Sequence, residues 1–174
     1  MSEQSGGAFD ITVGPLVAAW GFGADAAGTE APSPEQLSQL GERVGYHRLR
    51  LDPKSGSIRK QHPEISADLS AIAKGYAVDR VANAIAALGY PNFLVEIGGE
   101  LKAHGQKRPE RDWRVAVERP DELVRSIYAV VALRNLGMAT SGDYRNFVLE
   151  DETRRSHLID PRLGRPVMHT LASV

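Results

Sequence analysis

Asp68-Leu-Ser-Ala-Ile-Ala-Lys-Gly-Tyr-Ala-Val-Asp79, followed by Glu96-Ile-Gly-Gly-Glu100, decides how this chain is read. From Ile72 to Leu88 the apolar residues Ile72, Tyr76, Val81, Ile85 and Leu88, with Ala73, Ala77 and Ala84, recur at three- and four-residue intervals, which predicts a helix. It starts near Ser70 and closes at Gly89. Its first turn presents free N–H groups and the positive end of the helix dipole, and Lys74 stands one turn in, so a phosphate or pyrophosphate suits the place. A plainer reading stands beside this one: Asp68 or Ser70 caps the helix and Lys74 is a solvated side chain. Asp79 faces elsewhere, because five residues turn a helix about 140° past a full revolution. It is left to pair with Arg80 or a neighbouring loop.

Before the helix, Phe9 to Phe22 holds Ile11, Val13, Leu16, Val17 and Trp20, with Pro15 tolerated in a first turn, and predicts a short helix ending at Gly21 or Gly23. Ala24 to Pro32 reads as a surface loop. Ser33-Pro34-Glu35-Gln36 has a capping-box form and opens a second helix, with Leu37, Leu40 and Val44 on its apolar face and a stop near Gly45. From Tyr46 the period becomes two, and Pro53-Lys-Ser-Gly56 supplies a turn before Ile58, which predicts a hairpin. After the long helix, Phe93 to Ile97, Leu101 to His104, Trp113 to Val117, Ile127 to Leu133, Phe147 to Leu149 and His157 to Ile159 read as strands. Helices first and strands after indicate an α+β fold rather than βαβ alternation.

The 174 residues suit a single domain, and a domain of that size buries roughly 70% of its unfolded surface. With 21 Lys and Arg against 22 Asp and Glu the formal charge is -1, which offers no field for nucleic acid. The absence of cysteine excludes disulfides and thiolate metal sites but leaves the compartment open. No apolar run approaches the roughly 20 residues of a membrane span, and no signal-peptide core stands at the start, so the chain as given reads as soluble.

Other stretches carry groups suited to chemistry. Gly98-Gly99 between two strands lets a backbone or ligand approach closely, or serves a simple hairpin turn, with the carboxylates of Glu96 and Glu100 beside it. Thr140-Ser141-Gly142-Asp143-Tyr144 offers two hydroxyls after an apolar strand. His157-Leu-Ile-Asp160-Pro161 ends a strand at an Asp-Pro turn, where an imidazole can act near neutral pH. The remaining histidines, His47, His62, His104 and His169, read as surface groups. There is no His-Glu-x-x-His, EF-hand loop, Gly-x-Ser-x-Gly elbow or P-loop, so zinc, calcium, serine-hydrolase and Walker-type readings lack support.

Taken together, Phe9-Asp-Ile-Thr-Val-Gly-Pro-Leu-Val17 with Trp20-Gly-Phe-Gly23, Asp68 to Asp79, Glu96 to Glu100, Thr140-Ser-Gly142 with Tyr144 and Phe147, and His157 to Pro161 with Gly164 resemble the FAD:protein FMN transferases of the ApbE type. The resemblance implies an α+β fold in which a mixed or antiparallel sheet packs on helices around a flavin pocket. It also implies a magnesium-dependent (Mg2+) enzyme that cleaves the FAD pyrophosphate and joins FMN through a phosphoester to a threonine of a target flavoprotein. By the same resemblance Asp10, Lys74, Gly98, Gly99, Glu100, Ser141, Gly142, Leu158 and Ile159 contact FAD, the Ala71 carbonyl ligates magnesium, and His157 is the base that activates the acceptor threonine. Members are typically exported and often anchored to the outer side of the inner membrane.

Family members carry a segment before the Phe9-Asp10 block and continue past His169-Thr-Leu-Ala-Ser-Val174 into a helix bearing further magnesium ligands, so an incomplete domain is expected. Alternatives remain open: a module that binds FAD without transferring it, an FAD pyrophosphatase in which water replaces threonine, and a core role for the helix and glycines alone.

Overall fold

The computed structural model describes the chain except residues 24, 27, 29, 122, 123, 145, 146, 151 and 152, so the expected loop from Ala24 to Pro32 lies in part outside the described residues. Two short helices come first, α1 (Gly14–Ala19) and α2 (Pro34–Gly41), then a 3-10 turn (Tyr46–Arg48) and the hairpin β1 (Leu49–Asp52) and β2 (Ser57–Lys60). The long helix α3 (Ser70–Ala87) follows, then β3 (Phe93–Ile97), β4 (Glu100–His104), β5 (Trp113–Glu118), β6 (Ile127–Leu133) and β7 (Gly137–Met138). Last come β8 (Phe147–Glu150), β9 (Thr153–Ser156), β10 (Ile159–Asp160) and β11 (Arg165–Pro166). Every strand pair among the described residues is antiparallel, and the class is α+β. The chain falls into two units, Met1–Leu69 with Asn146–Thr170, and Ser70–Arg145 with Leu171–Val174.

In the first unit α1 is shorter than its apolar pattern. The Asp10 carboxylate takes the Thr12 N–H and the Asp10 carbonyl takes that of Val13, which holds the chain in a turn until Gly14. The helix ends as the glycines foretell. Gly21 stands at φ 84, its N–H reaches Ala18 O and the Phe22 N–H reaches Val17 O, the paired bonds of a Schellman cap. At α2 the capping box is complete, Ser33 Oγ accepting from Gln36 N and Gln36 Oε1 from Ser33 N. This helix stops at Gly41, short of Gly45, while Val44 is buried beyond its end.

The two-residue period starts later than expected, because Tyr46–Arg48 forms the 3-10 turn and the hairpin begins at Leu49. Leu51 and Ile58 face each other across it but are 66% and 64% exposed, so the alternation marks a strand pair without a core beneath it. His157 to Ile159 is not one strand. The Leu158 N–H turns back to Ser156 Oγ, breaking the chain between β9 and β10 with His157 in the break. Among the described residues of this unit, Leu16, Phe22, Val44 and Ile65 are the buried apolar ones.

In the second unit α3 has the predicted extent but a different inner face. Val78 and Ala82 are buried with Val95 of β3, joined by Ile85, Phe93 and Ile97, whereas Ile72, Tyr76, Val81 and Leu88 are all at least 41% exposed. Strands β3, β4 and β7 form one sheet. Register places Val95 opposite Lys102 and Ile97 opposite Glu100, so Phe93, Val95 and Ile97 share their face with Glu100, Lys102 and His104. Leu101 and Ala103 are buried on the other face, and β5 and β6 make a separate hairpin with a bulge at Val117/Glu118.

The burial pattern sets unequal costs on α3. Val78→Ala should lose about 2 kcal/mol, the transfer energy of two carbons plus a partly collapsed cavity. Ile72→Ala should lose under about 1 kcal/mol, as expected for an exposed site. Urea denaturation of the two variants checks this, and a larger loss at Ile72 would refute the assigned face.

Candidate functional site

Lys74 is the residue around which the second unit gathers its predicted site groups. The β3–β4 connection is the two-residue turn Gly98-Gly99, both in the left-handed region (φ 57 and 96), as a type I′ hairpin closed by Ile97 and Glu100 requires. Lys74 leans over this turn. Its Nζ donates to the Gly98 carbonyl at 3.2 Å and stands 2.8 Å from Glu100 Oε2. Gly98 has a second reason to lack a side chain, because a Cβ there would lie 3.0 Å from Lys74 Cδ. The Lys74 side chain is half exposed, whereas that of Glu100 is 14% exposed. Although Oε2 lies within ion-pair distance of Nζ, it makes no directed hydrogen bond and is shielded from water. The contact is therefore a contact of charges.

Ala71 lies in the first turn of α3, exposed and three residues before Lys74. Among the described residues no group of three or more His, Cys, Asp or Glu could hold a metal ion. Magnesium usually keeps water and substrate phosphates among its six oxygens. One backbone carbonyl is thus compatible with a shared ion but is not a protein cage.

Asp79 finds a partner that spacing along the helix could not reveal. Lys102 Nζ reaches its Oδ1 at 2.6 Å, from the face of β4 that also presents Glu100. Neither Arg80 nor a loop is involved in this contact. In the same unit Ser141 and Val174 exchange both backbone bonds, at 3.0 and 2.8 Å, and Gly142 bridges to Ser173. A Cβ on Gly142 would lie 2.8 Å from Ala172 O, so the close approach that glycine permits is used here by another backbone.

The first unit holds Asp10, His157, Leu158 and Ile159. Asp10 is buried and both its oxygens are engaged: Oδ1 accepts from Thr12 N at 2.8 Å and Thr12 Oγ1 at 2.7 Å, and Oδ2 from Tyr46 N at 2.7 Å. Thr12 Oγ1 in turn accepts from Gly45 N at 2.6 Å. The Asp10 block is also tied to the Asp68 block, since Asp68 N donates to Ile11 O at 2.6 Å. His157 is half buried and meets the Phe22 ring edge to face at 6.2 Å.

The turn after His157 is pinned at both ends. Arg162 grips Asp160 with Nε at 2.9 Å and Nη2 at 2.6 Å, and Trp20 Nε1 donates to the Gly164 carbonyl at 2.8 Å. The Arg162 hydrogen bond holds the Asp160 carboxyl below the usual aspartate range. Its contribution to stability is full above that range and is lost as pH falls from it through the lower value held in the folded chain. Leu158 and Ile159 supply backbone to the β10–β11 edge, Leu158 O accepting from Val167 N at 2.9 Å and Ile159 standing opposite Pro166. The sequence reading missed Arg155, a buried guanidinium 5.5 Å over the Trp20 ring. Nothing in the run Thr153-Arg-Arg-Ser156 distinguishes it from the exposed Arg154 beside it.

A cavity of about 730 Å3 lies beside α1 and α2, lined by Pro15, Ala18, Ala19, Gln36, Leu40 and Arg43 among others. None of the predicted site residues lines it, so its size does not make it the chemical site.

The Asp10 network predicts a stability defect. Asp10→Ala would leave the buried Thr12 N–H and the part-buried Tyr46 N–H without acceptors, at roughly 1–3 kcal/mol for the first and less for the second. Thermal melting should show a loss of several degrees or more. A variant as stable as the parent would mean that water replaces the carboxylate freely.

Three comparisons bear on identity. The ApbE family pattern matches residues 1–174. The FAD:protein FMN transferase of Haemophilus influenzae is 41% identical over 177 residues, covering 100% of this chain and 51% of that protein, and the one from Escherichia coli K12 is 39% identical, covering 100% and 50%. Among solved structures, the flavin transferase ApbE from Vibrio cholerae superposes with a TM-score of 0.86 at 40% identity, covering 99% of this chain and 54% of that one. The flavinyl transferase ApbE of Pseudomonas stutzeri, in its apo form, gives 0.84 at 41%, covering 99% and 52%. The chain spans about half the length of the curated relatives it matches, and it belongs to the ApbE family.

Proposed function

We propose that the protein carrying this chain transfers FMN from FAD to a threonine hydroxyl of a target flavoprotein. The threonine oxygen forms a bond to the FMN phosphorus while the pyrophosphate P–O bond breaks, and AMP leaves. The observation that carries the reading is Lys74, whose ammonium is held over the Gly98-Gly99 turn by the Gly98 carbonyl and Glu100 on a side chain that is half exposed. A fixed cation near a helix start suits the spread of negative charge over phosphoryl oxygens in an in-line displacement.

In this reading His157 takes the proton from the acceptor threonine. Its place in the chain break between β9 and β10 supports the assignment, since the turn behind it is pinned by Asp160 with Arg162 and by Trp20. Leu158, Ile159, Ser141, Gly142 and Gly99 would contribute backbone contacts to FAD. Asp10 would act through the shape of its loop, because its oxygens are spent on Thr12 and Tyr46. Magnesium, when bound, neutralises phosphate charge. Its part here is carried by family resemblance, with the Ala71 carbonyl as the named donor, and no step above runs through it.

The same resemblance supports a place on the outer side of the inner membrane and an acceptor among electron-transfer flavoproteins. Among the described residues no helix is long and apolar enough to cross a membrane.

Incubating the protein with FAD, magnesium and a peptide bearing an acceptor threonine should give a covalent FMN adduct by mass spectrometry together with AMP. His157→Ala should lower adduct formation by roughly 100-fold or more, the scale of general-base catalysis. AMP released without an adduct would mark a pyrophosphatase. Bound FAD with neither product would mark a binding module, and either result would overturn the transferase reading.

A further inference from the structure

We infer that Glu100 is a positioning residue for Lys74 and not itself a contact to the flavin nucleotide, an inference that rests on the proposed role of Lys74 at the phosphates. The two groups differ in how firmly they are held. Glu100 is the first residue of β4, fixed by the I′ turn before it and by its register with Ile97, and its side chain is largely withdrawn from water. Lys74 carries its ammonium on a flexible four-carbon stem, half exposed. The carboxylate, on a shorter side chain set by the strand, therefore places the ammonium of the longer one.

The contacts agree with this division. Oε2 of Glu100 is dry and has no hydrogen-bond donor, so the ammonium 2.8 Å away is what compensates its charge. An ammonium has three donors. One goes to the Gly98 carbonyl and one side faces Glu100, which leaves the remaining direction for a ligand. A carboxylate aimed at a pyrophosphate would only repel it. Glu100 favours the polyanion solely by fixing where Lys74 points, and Gly98 keeps the path of the lysine stem clear.

The test is a double-mutant cycle in the protein that carries this chain, read by FAD fluorescence titration. Lys74→Met should weaken FAD binding by about tenfold or more with Glu100 in place, the scale of a hydrogen bond from a charged group. In the Glu100→Gln background the same change should cost less, and in Glu100→Ala less than about threefold. This shrinking factor separates positioning from a merely structural role, which would lower affinity equally with either residue at position 74. Thermal melts accompany each variant, and if Glu100→Ala does not fold, Glu100→Gln decides alone. An equal factor in all backgrounds would overturn the positioning role and leave the function of Lys74 intact. Absence of FAD binding, or a Lys74→Met chain that binds as the parent does, would overturn the reading of Lys74 itself.

Discussion

The packing of α3 against one face of β3 and β4 governs the second unit, and two different forces meet on that face. On β3 the contact is apolar, with Val95 against Val78 and Ala82 and with Phe93, Ile97 and Ile85 around them. On β4 it is ionic, because the strand's alternation turns Glu100 and Lys102 to the helix side and sends Leu101 and Ala103 to the other. Burial supplies most of the energy. Partly exposed ion pairs contribute between nothing and about 1 kcal/mol each. What the pairs supply is order: the helix presents Lys74 then Asp79, the strand presents Glu100 then Lys102, and each charge meets its opposite. A reversed strand would set Lys74 against Lys102 and Asp79 against Glu100, like charges that repel.

That order explains which parts of the fold were legible in the sequence. The extent of α3 was, since Ser70 and Gly89 bracket it and propensity and period agree. Its inner face was not. Apolar side chains stand nearly all round the helix, so Ile72, Tyr76 and Val81 fit a helical period as well as Val78, Ala82 and Ile85 do, and only the partner strand selects among them. The same limit hid the Asp79–Lys102 pair, whose members are 23 residues apart and meet through strand register. Local chemistry was easier to read. The Ser33 capping box, the Gly21 stop and the Gly98-Gly99 turn each involve bonds within a few residues, and each stands where the sequence puts it.

The candidate site follows the same division. Lys74, Gly98 and Glu100 belong to two motifs recognised separately, and the structure joins them by direct contact. In the first unit the Trp20 motif and the His157 motif are joined by the indole bond to Gly164, 144 residues away in sequence. Motif order alone showed that these blocks belong together but not what each residue does. Asp10 is the clearest case: an acidic residue in a block expected to bind the ligand, it uses both oxygens to close its own loop. A carboxylate so engaged is a structural element whatever lies beyond it, because freeing either oxygen leaves a buried donor unmet.

The comparison of Asp10 with Glu100 carries the point further. Both are acidic groups in motifs that resemble nucleotide-binding blocks, and each is largely withdrawn from water. Asp10 is satisfied by backbone and hydroxyl donors, neutral groups that cannot leave it for a ligand. Glu100 is compensated by the ammonium of Lys74, whose side chain is half exposed. Burial and acidity are alike, yet one carboxylate completes a loop and the other is coupled to the ammonium of Lys74, and the difference lies in the partner. An acidic residue in such a motif is therefore assigned by what compensates its charge rather than by the motif that contains it.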